Sequence, residues 1–316
     1  MNENSIIPDT STLFTPMRDI YGNRLALVFG NESKGGECPF FTAKQCYHCD
    51  IGTGEGTQFT PDMNEQRLKF FKRYYSAVPP TIDHLVIYNS GSTLNEREMS
   101  RGTLGMIVDY VASLQKCGIV SLDSREMFVT ADALEYVVNK LRTDQQMRVI
   151  LGIESQSDGI RMGKLNKKMT RKGIEGAFKV VSNYTERAGM DINVVFQPPE
   201  LVGEEAIREA VETVRYSLDL AEKYSVSVDF NYHPFYQTKR SRAMYPGHPR
   251  ANLEDAKKAL VEMTKEIETK GGKSKIFIGW QDEQHDQEQH KREAELAREL
   301  ELFDQFNVKQ DPSILK

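Results

Sequence analysis

The sequence predicts an α/β protein built as an open parallel barrel of six strand–helix units. Short β-branched apolar runs recur six times, and a longer amphipathic stretch follows each of them. Strands that alternate with helices in this way form parallel β–α–β units. A doubly wound sheet is the other arrangement of six such units, but no glycine-rich dinucleotide fingerprint follows the first run.

The composition is that of an ordinary globular protein. The 316 residues are 39% hydrophobic, which is enough for a sizeable core, and the net charge of −5 gives no global basic field for nucleic acid. The beginning of the sequence has neither a basic segment nor an apolar run, and no stretch approaches the roughly 20 apolar residues of a membrane helix. We therefore expect a cytoplasmic protein with reduced thiols and no membrane partner.

The six apolar runs are short, as buried parallel strands are. In chain order the predicted strands are Arg24–Phe29, His84–Asn89, Ile119–Ser124, Arg148–Ser155, Ile192–Gln197 and Val226–Tyr232. The predicted helices are Met63–Tyr75, Gly102–Lys116, Ala131–Leu141, Thr170–Arg187, Glu204–Tyr224 and Leu253–Lys270. Gly118, Gly189 and Gly271 lie just beyond three of these helices, where glycine suits a helix stop.

These elements predict three parts of the chain. Residues 1–20 form an N-terminal tail, residues 21–280 the barrel, and residues 281–316 a C-terminal helical extension. The extension is strongly charged, and we expect it to pack Leu296, Leu300 and Phe303 on the barrel.

The segment after the first strand carries three of the four cysteines. Gly30–Met63 is 34 residues long without an obvious helix, and loops of this length are usually functional. Cys38, Cys46 and Cys49 have the spacing C-x7-C-x2-C. A structural zinc site needs four ligands, and His48 reaches the same ion poorly because it adjoins Cys49. The fourth cysteine, Cys117, has the setting of a buried core thiol.

Three thiolates suit an iron–sulfur cluster better than a closed zinc site. A [4Fe–4S] cluster held by three cysteines keeps one iron open, whereas a fully ligated one uses four. That iron can bind a chelating ligand such as the amino and carboxylate groups of S-adenosylmethionine (SAM).

The motif "CPFFTAKQCYHC" resembles the cluster loop of the radical SAM superfamily. Its long first interval is similar to the branch that contains the catalytic subunit of elongator and the radical SAM subunit of archaeosine synthase. "IYNSGSTLN", "LDSREMFV" and "GIESQSDGIRMGKLNKKMT" resemble later strand motifs of that branch, and the likeness spans about residues 20–245. The resemblance implies a partial TIM-like barrel with a [4Fe–4S] cluster and SAM as cofactors.

The resemblance also implies a set of SAM-binding residues. They are His48, the turn Ser90, Gly91 and Ser92, then Glu154, Ser155, Arg161 and Gln197. The superfamily often has an acid in that turn, which the three turn residues here lack. Glu154 and Ser155 suit the ribose hydroxyls, and the fork of Arg161 suits the SAM carboxylate. A plain surface arginine before a helix is the alternative for Arg161.

The substrate is less defined by sequence. The residues Arg125, Asn231, His233, Tyr236 and Lys239 end predicted strands or follow them, where barrel enzymes place their chemistry. Arg125 is alternatively an internal ion-pair partner of Glu126.

The resemblance implies reductive cleavage of SAM to a 5′-deoxyadenosyl radical that abstracts hydrogen from the substrate. The acidic balance favours a small biosynthetic intermediate, and the branch suggests tRNA as the alternative, with a C–N lyase reaction like that of archaeosine synthase. A flavodoxin- or ferredoxin-type protein is the expected electron donor. A non-catalytic zinc-binding protein is the competing class.

Overall fold

The computed structural model describes residues 14–49, 58–74, 76–77, 81–236, 239–280 and 297–315. Eight strands form one sheet in sequential order from β1 to β8, and every neighbouring pair is parallel except the antiparallel β1–β2 pair. Sequential parallel order with helices between the strands confirms the α/β open-barrel prediction.

The elements follow one another along the chain as strand and helix. The strands are β1 Phe14–Asp19, β2 Gly22–Phe29, β3 His84–Asn89, β4 Ile119–Ser124, β5 Gln146–Glu154, β6 Ala188–Phe196, β7 Val228–Pro234 and β8 Ile276–Ile278. The helices are α1 Pro39–Thr42, α2 Pro61–Tyr74, α3 Arg101–Ser113, α4 Ala131–Lys140, α5 Arg171–Val181, α6 Glu204–Tyr224, α7 Lys239–Met244, α8 Leu253–Thr269 and α9 Ala297–Lys309. A π-helical turn covers Gly159–Lys164.

Side-chain caps fix where four of the helices begin. Ser100, Thr130, Thr170 and Asn252 each accept a hydrogen bond from the backbone N–H three residues further on. Such a cap satisfies one of the donors that the first turn of a helix exposes.

The sheet has two strands in addition to the six that the sequence predicts. β1 lies in the segment expected as a tail and pairs with β2 through a turn at Ile20 and Tyr21. Its sequence, FTPMRD, has no apolar alternation and includes a proline, which edge strands tolerate. β8 is only three residues long, too short for a pattern to reveal.

Helix α9 closes the space between the two edge strands, since it packs against both β1 and β8. Leu300 and Phe303 are buried in this helix, while Leu296 lies outside the described residues. Asn307 exchanges two hydrogen bonds with the backbone of Ile278, and Gln310 does the same with Ile276. These amides saturate the free edge of β8, which would otherwise be open to another strand.

A small apolar layer divides the barrel interior. Ala26, Val86 and Ile150 form a buried cluster, with Tyr88 packed against it. Two residues earlier on the same strands lie Arg24, His84 and Arg148, and side chains two apart on a strand share a face. The interior is therefore polar towards the amino ends of the strands and apolar at its waist. Of the helices described, none is both long and apolar enough to cross a bilayer.

Candidate active site at the carboxyl end of the barrel

The cysteine loop lies against the segment that follows β5. Cys46 N–H donates to Asn166 O at 3.2 Å, and Tyr47 N–H donates to Leu165 O at 3.0 Å. Asn166 Nδ2 donates in return to Lys44 O at 3.0 Å. These backbone contacts join two long loops that both leave carboxyl ends of parallel strands, the edge where barrel enzymes carry their active sites.

The three cysteines of this loop are half-buried thiols, whereas Cys117 is buried. Cys38 is the N-cap residue of α1, and Cys46 has a left-handed backbone with φ of +54°. Burial raises the pKa of the Cys38 thiol to about 11, and nearby Glu98 and Cys46 act in the same direction. Within the described residues, no three His, Cys, Asp or Glu side chains converge on a single metal ion.

Arg125 connects the cysteine loop to the barrel. Its Nη1 donates to Cys46 Sγ at 3.5 Å, and its Nη2 donates to Lys167 O at 2.6 Å. The guanidinium carbon lies 3.9 Å above the ring of Phe40, within cation–π distance. Its Nε reaches Glu126 Oε2 only at 3.4 Å. Arg125 thus contacts one thiol of the loop, that of Cys46, and pairs only loosely with Glu126.

Glu154 is the centre of a buried charged group at the end of β5. It is 4% exposed, has φ of +65°, and follows a register shift between β5 and β6. Lys167 Nζ lies 2.8 Å from Oε1, while His48 Nε2 and His233 Nε2 lie 3.7 Å and 3.3 Å from the carboxylate. Burial alone would raise the pKa of Glu154, but the Lys167 charge and the histidines hold it well below its usual range.

The structure brings His48 to Glu154, as a shared site requires. Burial and the neighbouring Lys167 charge lower the pKa of His48, so the ring is neutral near pH 7. Its Nδ1 is buried without a hydrogen-bond partner in the described part of the chain.

A buried acid lies directly beneath the Ser90–Ser92 turn. Glu98 is fully buried, and its Oε2 accepts from Ser92 N–H at 3.0 Å. A Cβ at Gly91 would overlap this carboxylate, so only glycine lets the turn lie so close. Burial raises the pKa of Glu98. Glu98 is not among the residues that the sequence motifs indicate, although "NEREMS" places this acid six positions after Ser92.

Ser92 and Ser90 hold this turn in place. Ser92 Oγ accepts from Arg125 N–H at 3.2 Å, and Ser90 O accepts from Asn31 Nδ2 at 2.7 Å. The turn therefore contacts both the segment that follows β4 and the start of the cysteine loop.

Arg161 and Ser155 face other partners than those expected. Arg161 is fully buried and donates to the carbonyl oxygens of Met169, Ser155 and Gln156, with a further contact to Asp158. Ser155 Oγ donates to Glu209 Oε1 at 2.5 Å, on helix α6. Both residues thus order the loop after β5, and the burial of Arg161 contradicts the alternative of a plain surface arginine.

Gln197 fastens the loop that precedes α8. Its side chain donates to Pro249 O and Arg250 O and accepts from Asn252 N–H. We call this carboxyl end of the barrel the mouth: His48 and Glu154 lie there, and Arg125 contacts both Cys46 and the Ser90–Ser92 turn. Gln197 binds the chain beside it.

The expected substrate residues are separated by the structure. Arg125 and His233 reach the groups around Cys46 and Glu154. The ring of Tyr236 stacks on His233 at 6.0 Å, and its hydroxyl donates to Gly279 O. Asn231 lies deeper on β7 and donates to Asn193 Oδ1 at 3.0 Å. The side chain of Lys239 lies outside the described residues.

Two further buried atoms at this end have no hydrogen-bond partner in the described chain. They are Asn89 Oδ1 at the end of β3 and Asp123 Oδ1 on β4. Burial, together with nearby Glu98, raises the pKa of Asp123 well above its usual range. A buried carboxyl group in this state commonly marks a functional site.

Comparison with known proteins gives limited matches. No family model matches the sequence. An uncharacterized protein of Methanocaldococcus jannaschii is 26% identical over 134 residues, which are 42% of this chain and 36% of that protein. The radical SAM methyltransferase TsrM of Kitasatospora setae, solved with tryptophan and a SAM analogue, is 14% identical with a TM-score of 0.36. That match covers 65% of this chain and 35% of the methyltransferase chain.

The chain thus spans little more than a third of the length of either protein.

Proposed function

We propose that this chain is a radical SAM enzyme that acts on a small biosynthetic intermediate. The observation that carries the proposal is the three-thiol loop at the carboxyl end of an open parallel barrel, hydrogen-bonded to the "LNK" segment after β5. When bound, a [4Fe–4S] cluster and SAM supply one-electron cleavage of the sulfonium to a 5′-deoxyadenosyl radical.

The residues present fit these two groups in kind and number. A cluster takes one thiolate per iron, so Cys38, Cys46 and Cys49 need not converge on a single ion. The carboxylate of Glu98 beneath Gly91 suits the SAM ammonium and takes the place of the acid that the turn itself lacks. Glu154 and His48 border the same mouth and suit the ribose and adenine.

The interior favours a small substrate over tRNA. Asp123 shares the inward face of β4 with Ser121, and its Oδ1 is buried without a hydrogen-bond partner among the described residues. A small molecule that enters the mouth can satisfy such an atom, whereas a folded RNA contacts the rim. The negative net charge also argues against a nucleic-acid surface. A flavodoxin- or ferredoxin-type protein is the proposed electron donor.

The test begins with anaerobically purified protein. We expect a brown protein with a shoulder near about 400 nm and about four irons per chain, the properties of a [4Fe–4S] cluster. Dithionite and SAM should then yield 5′-deoxyadenosine. Cys46→Ala should abolish this product, and Cys117→Ala is the matched control because Cys117 is buried and donates to Ile119 O.

Three results would contradict the proposal in different ways. A colourless protein with one zinc ion would establish the zinc-binding class instead. Product formation by Cys46→Ala would show that the ligands are assigned wrongly. Tight binding of bulk tRNA with a steep salt dependence would replace the small molecule with an RNA substrate.

A further inference from the structure

We propose that Arg125 is a positioning residue for the cluster site, which holds Cys46 in place and raises the potential at which the cluster accepts an electron. This inference rests on the proposed function, because it requires a cluster on Cys38, Cys46 and Cys49. It assigns to Arg125 a role other than substrate binding.

The contacts of Arg125 direct its charge at the cysteine loop. The side chain is 10% exposed, and its two terminal nitrogens donate to Cys46 Sγ and to Lys167 O. The Phe40 ring lies between Cys38 and Cys46 in sequence and covers the guanidinium at 3.9 Å. The guanidinium of Arg125 therefore contacts the cysteine loop at the Cys46 thiol and at the Phe40 ring. Its Nη2 donates to Lys167 O in the segment after β5.

The planar fork explains why arginine occupies this position. A lysine ammonium has no flat face to lie on Phe40 and cannot reach two acceptors in a fixed geometry. Glu126 offsets the charge only partly, since its carboxylate lies 3.4 Å from Nε, on the edge of the guanidinium away from the thiol contact.

The direction of the electronic effect follows from charge. Reduction adds one electron from a low-potential donor to the cluster, oxidises that donor by one electron and moves no proton. A buried cation and an N–H···S hydrogen bond stabilise the more negative, reduced form, and hydrogen bonds to sulfur are known to set cluster potentials. Arg125 therefore makes the potential less negative than it would otherwise be.

The experiment is an anaerobic redox titration of the reconstituted protein without SAM, followed by electron paramagnetic resonance. In Arg125→Gln we expect the ratio of reduced to oxidised cluster at a fixed potential to fall about tenfold, which corresponds to 59 mV for one electron. Arg125→Lys keeps the charge but loses the fork, so its shift should be smaller.

Arg187→Gln is the matched control. Arg187 also donates to several backbone carbonyls, including Gln145 O and Arg142 O, but it precedes β6 at the opposite end of the barrel. We expect the Arg187→Gln variant to be less stable than wild type and to have an unchanged reduction potential of its cluster. If Arg125→Gln folds, as judged by circular dichroism, but binds no iron while Arg187→Gln is loaded, the anchoring of Cys46 is supported directly.

The inference is overturned if both Arg125 variants bind the wild-type amount of iron with the wild-type potential. A shift of the Arg187→Gln potential equal to that of Arg125→Gln would overturn it as well, because the effect would then be general. If the wild-type protein itself assembles no cluster, the proposed function has failed, and the iron content of that sample distinguishes the two failures.

Discussion

The two ends of the barrel carry similar polar residues. Those at the amino end are joined by hydrogen bonds, whereas several polar atoms at the carboxyl end are unpaired within the part of the chain that the structure describes. At the amino end, His84 Nδ1 lies 2.7 Å from Asp19 Oδ2, and its Nε2 lies 2.8 Å from Ser121 Oγ. Ser121 donates onward to Asp191, which also pairs with Arg148. Arg148 further contacts Asp229, and Asp229 accepts from the hydroxyl of Tyr21. The network runs from the β1–β2 hairpin across the barrel.

The carboxyl end leaves polar atoms unpaired. Asn89 Oδ1, Asp123 Oδ1 and His48 Nδ1 are buried and lack hydrogen-bond partners among the residues described. Buried polar groups are normally satisfied, because each orphan costs about 1–3 kcal/mol. The amino end therefore contributes to stability through its hydrogen bonds, whereas the orphaned atoms at the carboxyl end reduce stability.

Removal of Arg148 should give the largest effect on stability. Arg148→Met keeps much of the side-chain volume but leaves the buried Asp191 and Asp229 without their cation. Loss of one partner of a buried ion pair costs about 3–5 kcal/mol, so urea denaturation should show a loss of this order. Adding Asp191→Asn and Asp229→Asn to the variant should restore most of it. A loss below about 1 kcal/mol for Arg148→Met alone would contradict a stabilising network.

The sequence predicts those parts of the fold that local pattern determines. β3, β4 and α6 have the predicted bounds, because each is a continuous apolar run or an amphipathic period of ordinary length. The cysteine loop was visible because thiols at close spacing are chemically distinctive. β1 and β8 were not, because pairing at a sheet edge stabilises them more than their own composition does.

The site is harder to predict because its geometry is tertiary. Glu98 joins the Ser90–Ser92 turn through a loop that folds back on itself, and no periodicity marks that contact. Arg161 is seven residues from Glu154, yet the π-helical turn points it at three carbonyl oxygens. A motif identifies which residues are special, while the direction of each side chain depends on the backbone around it.

The second-largest effect is expected on the affinity for SAM. Glu98→Gln removes the charge proposed to receive the SAM ammonium, and charge-assisted hydrogen bonds contribute about 1.5–3 kcal/mol, so SAM affinity should fall roughly ten- to a hundredfold. Calorimetry on the cluster-loaded protein measures this. Both oxygens of Glu98 accept hydrogen bonds, from Ser92 N–H and Asn95 Nδ2, so the Gln amide replaces one acceptor with a donor and the variant should also lose about 1–3 kcal/mol of stability. Asp191→Asn is the control from the opposite end, with reduced stability and unchanged SAM affinity. Equal SAM affinity in Glu98→Gln and wild type would remove Glu98 from the site.

The smallest expected effect is on the pH dependence of folding stability, to which the two ends of the barrel should contribute with opposite signs. Burial acts to raise the pKa of Asp191, but Arg148 and its other partners outweigh burial and hold the pKa below its usual value. A depressed carboxyl pKa gives stability that is present above the unfolded pKa, near about 4, and is lost as the pH falls through the folded value. At the other end, burial raises the pKa of Asp123, so its contribution is present at low pH and is lost as the pH rises through the folded value.

Urea midpoints measured from acid to mildly alkaline pH test this opposition. Asp191→Asn should flatten the acid side of the stability curve, whereas Asp123→Asn should flatten the alkaline side and raise the stability there relative to wild type. The Asn side chain mimics a protonated carboxyl group in shape, so packing changes little in either variant. If both variants change the same side of the curve, the two ends of the barrel do not differ in the way that their hydrogen bonds indicate.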